Sequence, residues 1–379
     1  MPTPPLSDDL AREAIEAWLL HGGQTRKAAE SLGLNYHGFR TRLRIGKERG
    51  FHLSPGARGV VSAARLNPVE AKGGWLHTYG EDGKKLAATY WRPQDIPPEE
   101  FAERVRAALS DLPPPQPVNL VSSPDTDLLT LIPVADAHIG LMAWGRETGE
   151  DWDTRKGADR LVSWVNRALA ALPPSSKCVL LFAGDLLHAD DSRSETPASK
   201  HRLDTDTRHF KTLESVIEAV ARAADAAMQY HDSVTLRFLP GNHDPHAAIA
   251  VMFALAERYR ASSRVHVQKE PSEFFAYQFG KVLVTAHHGH RAKAQQMVHF
   301  IADEYASLWG RTRYRYLFTG HLHHHKSQDI GGMQWEQLPA VTARDAYTVS
   351  NAYVSRARLT GITYHRERGE IARVVIGPE

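Results

Sequence analysis

Histidine is in excess in this chain, with 21 copies, and several of them cluster: His287, His288 and His290 in one place, His321, His323, His324 and His325 in another. Imidazole is both a ligand for divalent first-row ions and a proton carrier near neutral pH. The clusters belong to a longer series. Asp136-Ala137-His138, Gly184-Asp185, Gly241-Asn242-His243-Asp244, His287-His288-Gly289-His290 and Gly320-His321-Leu322-His323 occur in that order, each directly after an apolar run of strand character. From among them two carboxylates, an amide oxygen and four imidazoles would converge, a set too rich in nitrogen for calcium or magnesium as sole occupants and too hard for copper alone. Such a set suits manganese, iron or zinc. Singly, each motif has a plainer reading, since Gly-Asp is a common turn and Asp-x-His arises by chance in a histidine-rich chain. Coincidence does not account for all five at successive strand ends.

The elements that must hold these residues are strands alternating with helices. Strands are expected at 128–135, 178–183, 234–239, 282–286 and 316–319, and helices at 155–172, 213–230, 247–259 and 292–308. Such alternation defines an α/β domain, and at the carboxyl ends of its strands the loops are exposed while the strands hold them rigid. The five motifs would meet there in one crevice. A last hairpin is expected from 359–365 with 371–376. In the fourth motif, alternation along the strand turns His287 to the opposite face and leaves His288 and His290 as alternatives.

In order and placement the five motifs resemble those of the calcineurin-like metallophosphoesterases, over roughly residues 128–375. The resemblance implies a four-layer α/β/β/α sandwich around a site for two divalent ions, manganese first, with iron, zinc, nickel or cobalt as substitutes. It assigns Asp136, His138 and His323 to one ion, Asn242, His288 and His321 to the other, and Asp185 to both. His243 stays off the metals, where its ring could donate a proton or hydrogen bond to the phosphoryl or leaving oxygen, with Asp244 orienting it. The implied reaction is in-line attack at phosphorus by a water activated between the ions. His188 in the loop after Asp185, and Arg344 near Tyr347 and Tyr353, are candidate substrate contacts, since Arg can hold phosphate and Tyr can stack on a base.

Three segments are expected ahead of the catalytic domain at 128–379: a helical module at 1–50, a mixed segment at 51–110 with no assignable role, and a proline-rich linker at 111–127. In the module, helices are expected at 8–20 with Ser7 as N-cap, at 24–32, and at 36–49 with Asn35 as N-cap. Residues 24–44 resemble the helix-turn-helix of bacterial regulators and recombinases, with Ala28-Ala29 allowing close crossing and Leu32, Leu34, Phe39 and Leu43 as an apolar spine. Residues 21–50 carry seven Lys or Arg against two Glu. Arg40, Arg42, Arg44 and Lys47 are therefore the candidate nucleic-acid contacts. Such a module joined to a phosphoesterase is similar to proteins encoded by bacteriophages and prophages. In the mixed segment, 75–79 and 86–91 read as a hairpin.

The rest of the composition bounds the answer. With 42% hydrophobic and 24% charged residues, the chain is an ordinary globular protein, and a net charge of +2 gives no global pull toward nucleic acid. One cysteine, Cys178, excludes an intramolecular disulfide framework and any cysteine-rich metal site. Without a signal-like start or a bilayer-spanning run, a cytoplasmic protein is expected, with nucleic acid as partner, no membrane, and a homo-oligomer left open. The leading expectation is a two-metal phosphodiesterase or nuclease acting on DNA or RNA. The alternatives are a phosphomonoesterase or cyclic-nucleotide phosphodiesterase with a partner-binding helical module, and a DNA-binding regulator with a phosphoesterase scaffold.

Overall fold

Residues 128–135 are apolar almost without a break, which suits a strand covered on both faces. In the computed structural model, which describes residues 6–21, 24–49, 51, 74–79, 85–91, 120 and 123–378, that run is the buried part of β3 (Asp125–Val134). The chain divides into two units, Met1–Phe101 and Ala102–Glu379. The first holds α1 (Asp8–Leu20), α2 (Thr25–Ser31), α3 (Tyr36–Glu48) and the antiparallel pair β1 (Gly74–Tyr79) and β2 (Lys85–Trp91). The end of the mixed segment after residue 91 and the proline-rich start of the linker lie outside the described residues.

Both N-caps read from the sequence are present: Ser7 Oγ accepts from the Leu10 N–H at 3.4 Å, and Asn35 Oδ1 from the Gly38 N–H at 2.7 Å. Ala14, Ile15, Ala28, Ala29, Phe39 and Leu43 form the small core of the helices. α1 and α3 come close together at Gly46, where a Cβ would lie 2.6 Å from Ile15 Cγ1 and 2.7 Å from the Ala11 carbonyl oxygen.

The second unit is a mixed α/β fold with two sheets. The six-stranded sheet has the order β13-β12-β3-β4-β5-β6, with β4 (Ser175–Phe182), β5 (Ser233–Phe238) and β6 (Val265–Gln268) parallel to β3, β12 (Leu359–His365) antiparallel to β3, and β13 (Gly369–Ile376) antiparallel to β12. The five-stranded sheet runs β10-β11-β9-β8-β7, built on the parallel strands β8 (Val282–Ala286), β9 (Tyr314–Thr319) and β11 (Met333–Gln337). At its edges are β7 (Phe275–Phe279) and β10 (Lys326–Ile330), both antiparallel to their neighbours. The β12 pairing to β3 stops at Leu131, so Pro133, which has no N–H to give, comes after that pairing has ended.

Period-two alternation sorts each central strand between two cores. In β4, Cys178, Leu180 and Phe182 face the helices α5 (Thr154–Ala171), α6 (His209–Ala227) and α7 (Ala247–Arg258), while Val179 and Leu181 face the second sheet. A further core packs α8 (Ala294–Glu304) through Met297, Val298 and Ile301 onto Leu317, Met333 and Trp335 of that sheet. The layers are therefore helix, sheet, sheet, helix. The single helix expected at 292–308 is broken at Tyr305, and α9 (Ala306–Arg311) follows as a separate piece. Two short helices complete the unit, α4 (Gly145–Thr148) and α10 (Ala346–Ser350). Among the described residues no helix is long and apolar enough to cross a membrane.

Candidate metal centre

Three neighbouring strands of the first sheet, β3, β4 and β5, end in Asp136 and His138, in Asp185, and in Asn242, His243 and Asp244. Two neighbouring strands of the second sheet, β8 and β9, end in His287, His288 and His290 and in His321 and His323. The loops are stitched together within each sheet and from one sheet to the other. The His138 N–H donates to the Asp185 carbonyl at 2.9 Å, the Gly320 N–H to the His288 carbonyl at 2.9 Å, and the His321 N–H to Asp136 Oδ2 at 2.9 Å.

The result is a buried cluster of acids and imidazoles. Asp136, Asp185, His138 and His288 are each no more than 2% exposed, and among the described residues the ion pairs of both aspartates are all with histidines. Asp136, His138 and His323 present donor atoms within 4.8 Å of one another, and so do Asp185, His288 and His321. Asp185 joins the two groups. Its Oδ2 lies 3.1 Å from His288 Nε2 and 3.8 Å from His138 Nε2. Asn242 Oδ1 is 3.1 Å from His288 Nε2, and His138 Nε2 is 3.1 Å from His323 Nε2.

Buried carboxylates without a Lys or Arg partner need another source of positive charge. Burial would raise the Asp185 carboxyl, but His288, His243 and His138 hold it well below the usual range. Burial keeps His138 neutral, well below an ordinary histidine, and pushes His188 down to about 3. The Asp185 and Asp136 charges push His288 up to about 10 and raise His323 as well, so a metal would have to displace protons from these rings; carboxylate oxygens with deprotonated imidazole nitrogens are a donor set that fits divalent transition ions. His288 shows the expected support as well: its Nδ1 donates to the Ala183 carbonyl at 2.9 Å, which aims Nε2 at Asp185 and Asn242.

The backbone is shaped for this convergence. Asp136, His138, Asp185, His321 and His323 all have positive φ, between 42° and 71°. Each such residue stores on the order of 1–3 kcal/mol of strain, and outliers of this kind gather at functional sites. The glycines of the motifs explain themselves sterically. A Cβ on Gly184 would lie 2.3 Å from His288 Nδ1, one on Gly241 1.9 Å from Asp185 Oδ1, and one on Gly320 2.6 Å from Asp136 Oδ2. Gly241→Ala is therefore expected to lower stability by about 1–3 kcal/mol and to deplete metal content, as measured by thermal unfolding and elemental analysis. Ordinary stability with full metal content would remove the steric role of this glycine.

No protein-family model and no curated protein matches this chain. Among solved structures it is similar to an archaeal phosphodiesterase, at 11% identity and a TM-score of 0.34, covering 65% of this chain and 99% of that one. A predicted phosphoesterase from Streptococcus pneumoniae gives 10% and 0.28 over 66% and 98% of the two chains. A 5′-nucleotidase precursor from Thermus thermophilus gives 12% and 0.31 over 65% and 54%. At these scores the functional reading rests on the cluster itself.

His288, and not His290, joins the cluster: His290 Nε2 accepts from Arg291 Nε at 3.1 Å. His287 points the other way, against Phe274 and Glu273, as strand alternation requires. Two expectations need correction, those for Asp244 and His188. Asp244 does not orient the His243 ring. Its oxygens accept from the backbone N–H groups of Gly241 and Leu187 at 3.0 Å and of Asp185 at 3.2 Å, and burial together with the Asp185 charge raises its pKa to about 7. The His243 ring is held instead by the His188 carbonyl, which accepts from Nδ1 at 2.8 Å. His188 is accordingly a positioning residue, 2% exposed, with its own Nδ1 3.3 Å from His138 Nδ1. Arg344 is exposed, and its guanidinium reaches the Thr148 carbonyl on α4 at 3.4 Å. His324 and His325 turn outward to the Leu322 carbonyl and to Glu336.

Proposed function

We propose that this chain is a two-metal phosphoesterase of the calcineurin-like type that cleaves phosphodiester bonds in DNA or RNA. The observation that carries this reading is the placement of Asp185 Oδ2 between His138 Nε2 and His288 Nε2, the position of a carboxylate shared by two ions. Asp136, His138 and His323 would hold one ion and Asn242, His288 and His321 the other, with manganese first among the metals. Two such ions supply an activated water and charge neutralisation at phosphorus. The chain supplies the rest. His243 Nδ1 donates to a carbonyl, so in the neutral ring Nε2 is an acceptor and in the protonated ring a donor. A protonated His243 can then give its Nε2 proton to the leaving oxygen, and the shared carboxylate fixes its backbone through the N–H to Asp185 Oδ1 bond at 2.8 Å.

The choice of nucleic acid as substrate rests on the first unit. Of its candidate contacts, Arg42 is drawn toward Glu13, Arg44 pairs with Glu48, and Lys47 lies over the Trp18 ring at 3.7 Å. Arg40, beside the half-exposed Tyr36, has no carboxylate partner among the ion pairs of the described residues. Arg40→Ala is thus expected to weaken polynucleotide binding and to reduce the slope of log affinity against log salt by about 1, the signature of one phosphate contact. An unchanged slope in a salt titration would take Arg40 out of the interface.

The reading as a whole is tested by offering the manganese-loaded protein single- and double-stranded DNA, RNA, cyclic dinucleotides, and aryl phosphate mono- and diesters. Cleavage of a polynucleotide is expected. Cleavage of monoesters alone would make the enzyme a phosphatase with a partner-binding helical module, and cleavage of nothing would reduce the domain to a scaffold.

A further inference from the structure

Two chain segments leave the cluster side by side and enclose a second feature. The Leu141 N–H donates to the His138 carbonyl at 3.0 Å, so Met142 and Trp144 follow directly from the His138 loop. The Thr342 N–H donates to the Asp136 carbonyl at 3.3 Å, and α10 begins at Ala346 just beyond. Met142, Ala143, Trp144, Glu147, Asp204 and Ala346 line a cleft of about 390 Å³. That is within the range of about 300–1,000 Å³ typical of small-ligand sites. Trp144 is 53% exposed with the Arg146 guanidinium over its ring at 5.1 Å, and Tyr347 on α10 is 63% exposed.

The chemistry of the lining selects a ligand. An exposed indole backed by an arginine is a stacking platform for a flat ring, and every nucleobase has a π-face. The charged groups lining the cleft, Glu147 and Asp204, are acceptors only. They repel a phosphate and favour an edge that carries amino N–H donors. We propose that this cleft is the nucleobase subsite of a single-stranded polynucleotide substrate, the base stacking on Trp144 while its phosphate lies at the metal cluster. Adenine, cytosine and guanine carry the exocyclic amino group that Glu147 or Asp204 can accept. The assignment rests on the nucleic-acid phosphodiesterase reading above.

The test compares two phosphorothioate oligomers, which resist hydrolysis, on the manganese-loaded full chain: a deoxyadenosine oligomer and an abasic oligomer of equal length. Both carry the same backbone charge, so phosphate contacts, including those of the helical module, cancel in the ratio. The base-bearing oligomer is expected to bind about fivefold tighter or more, the size of one stacked base. Trp144→Ala should abolish that preference and Trp144→Phe retain most of it, each with unchanged melting temperature and metal content. Equal affinity of the wild type for the two oligomers, or a preference that survives Trp144→Ala, overturns the subsite. If deoxyadenosine monophosphate binds as tightly as the oligomer and with the same dependence on Trp144, the polynucleotide source is wrong and a mononucleotide takes its place. Hydrolysis of an aryl diester by the wild type is scored separately, so failure of the phosphodiesterase reading is distinguishable from failure of the cleft.

Discussion

Asp185→Asn is expected to lower hydrolysis of every substrate by on the order of a thousandfold, the loss of several kcal/mol of transition-state stabilisation. The substitution is nearly isosteric. The Asp185 N–H and carbonyl bonds to Asp244 and His138 are made by the backbone and persist, and Oδ1 can still accept from the His243 N–H. What changes is Oδ2, which would become an amide nitrogen carrying no charge, facing His288 Nε2 at 3.1 Å and His138 Nε2 at 3.8 Å. A donor there cannot ligate a cation, and both halves of the cluster lose their shared anion. Elemental analysis should find reduced metal in a protein with native circular dichroism. Near-normal activity, or full metal occupancy with normal activity, would refute the shared-carboxylate role.

The cluster was readable because each of its strands announces itself twice, by an apolar run and by the polar break that ends it. Residues 178–183 are apolar on both faces because β4 is buried between two layers, and the chain must leave the sheet at Gly184-Asp185. The edge of the second sheet lacked such a signal. β10 reads Lys-Ser-Gln-Asp-Ile and is exposed along most of its length, so only its pairing with β11 makes it a strand. β6 and β7 are short, and β7 is half-buried in the middle, without a continuous apolar run. Orientation within the site was also beyond the sequence. Nothing in Gly241-Asn242-His243-Asp244 says that Asp244 turns back to three backbone N–H groups, or that the neighbour fixing His243 is a main-chain oxygen 55 residues away. Such a contact depends on backbone position and leaves no mark on residue type. Gly46 is similar: a glycine inside α3 looks like a weak point until Ala11 and Ile15 are seen against it.

His243→Ala is expected to leave the metals in place and to slow turnover by about 10²–10⁴-fold, the usual contribution of a positioned acid. Its ring packs edge-on against His138 with centroids 4.6 Å apart, so it borders the cluster. Its Nδ1 is committed to the His188 carbonyl, so proton exchange with substrate is left to Nε2. If that proton goes to the leaving oxygen, the loss must depend on how badly the leaving group needs it. Nitrophenolate leaves without help, whereas a nucleoside alkoxide does not. The alanine variant should therefore retain far more of its activity on a nitrophenyl diester than on a polynucleotide, mostly through kcat. An equal loss on both would mean that His243 only binds a phosphoryl oxygen, and loss of metal would make it a ligand. His188→Ala provides the contrast: its carbonyl survives the substitution, so the leaving-group dependence should stay that of the wild type even if packing against His138 weakens.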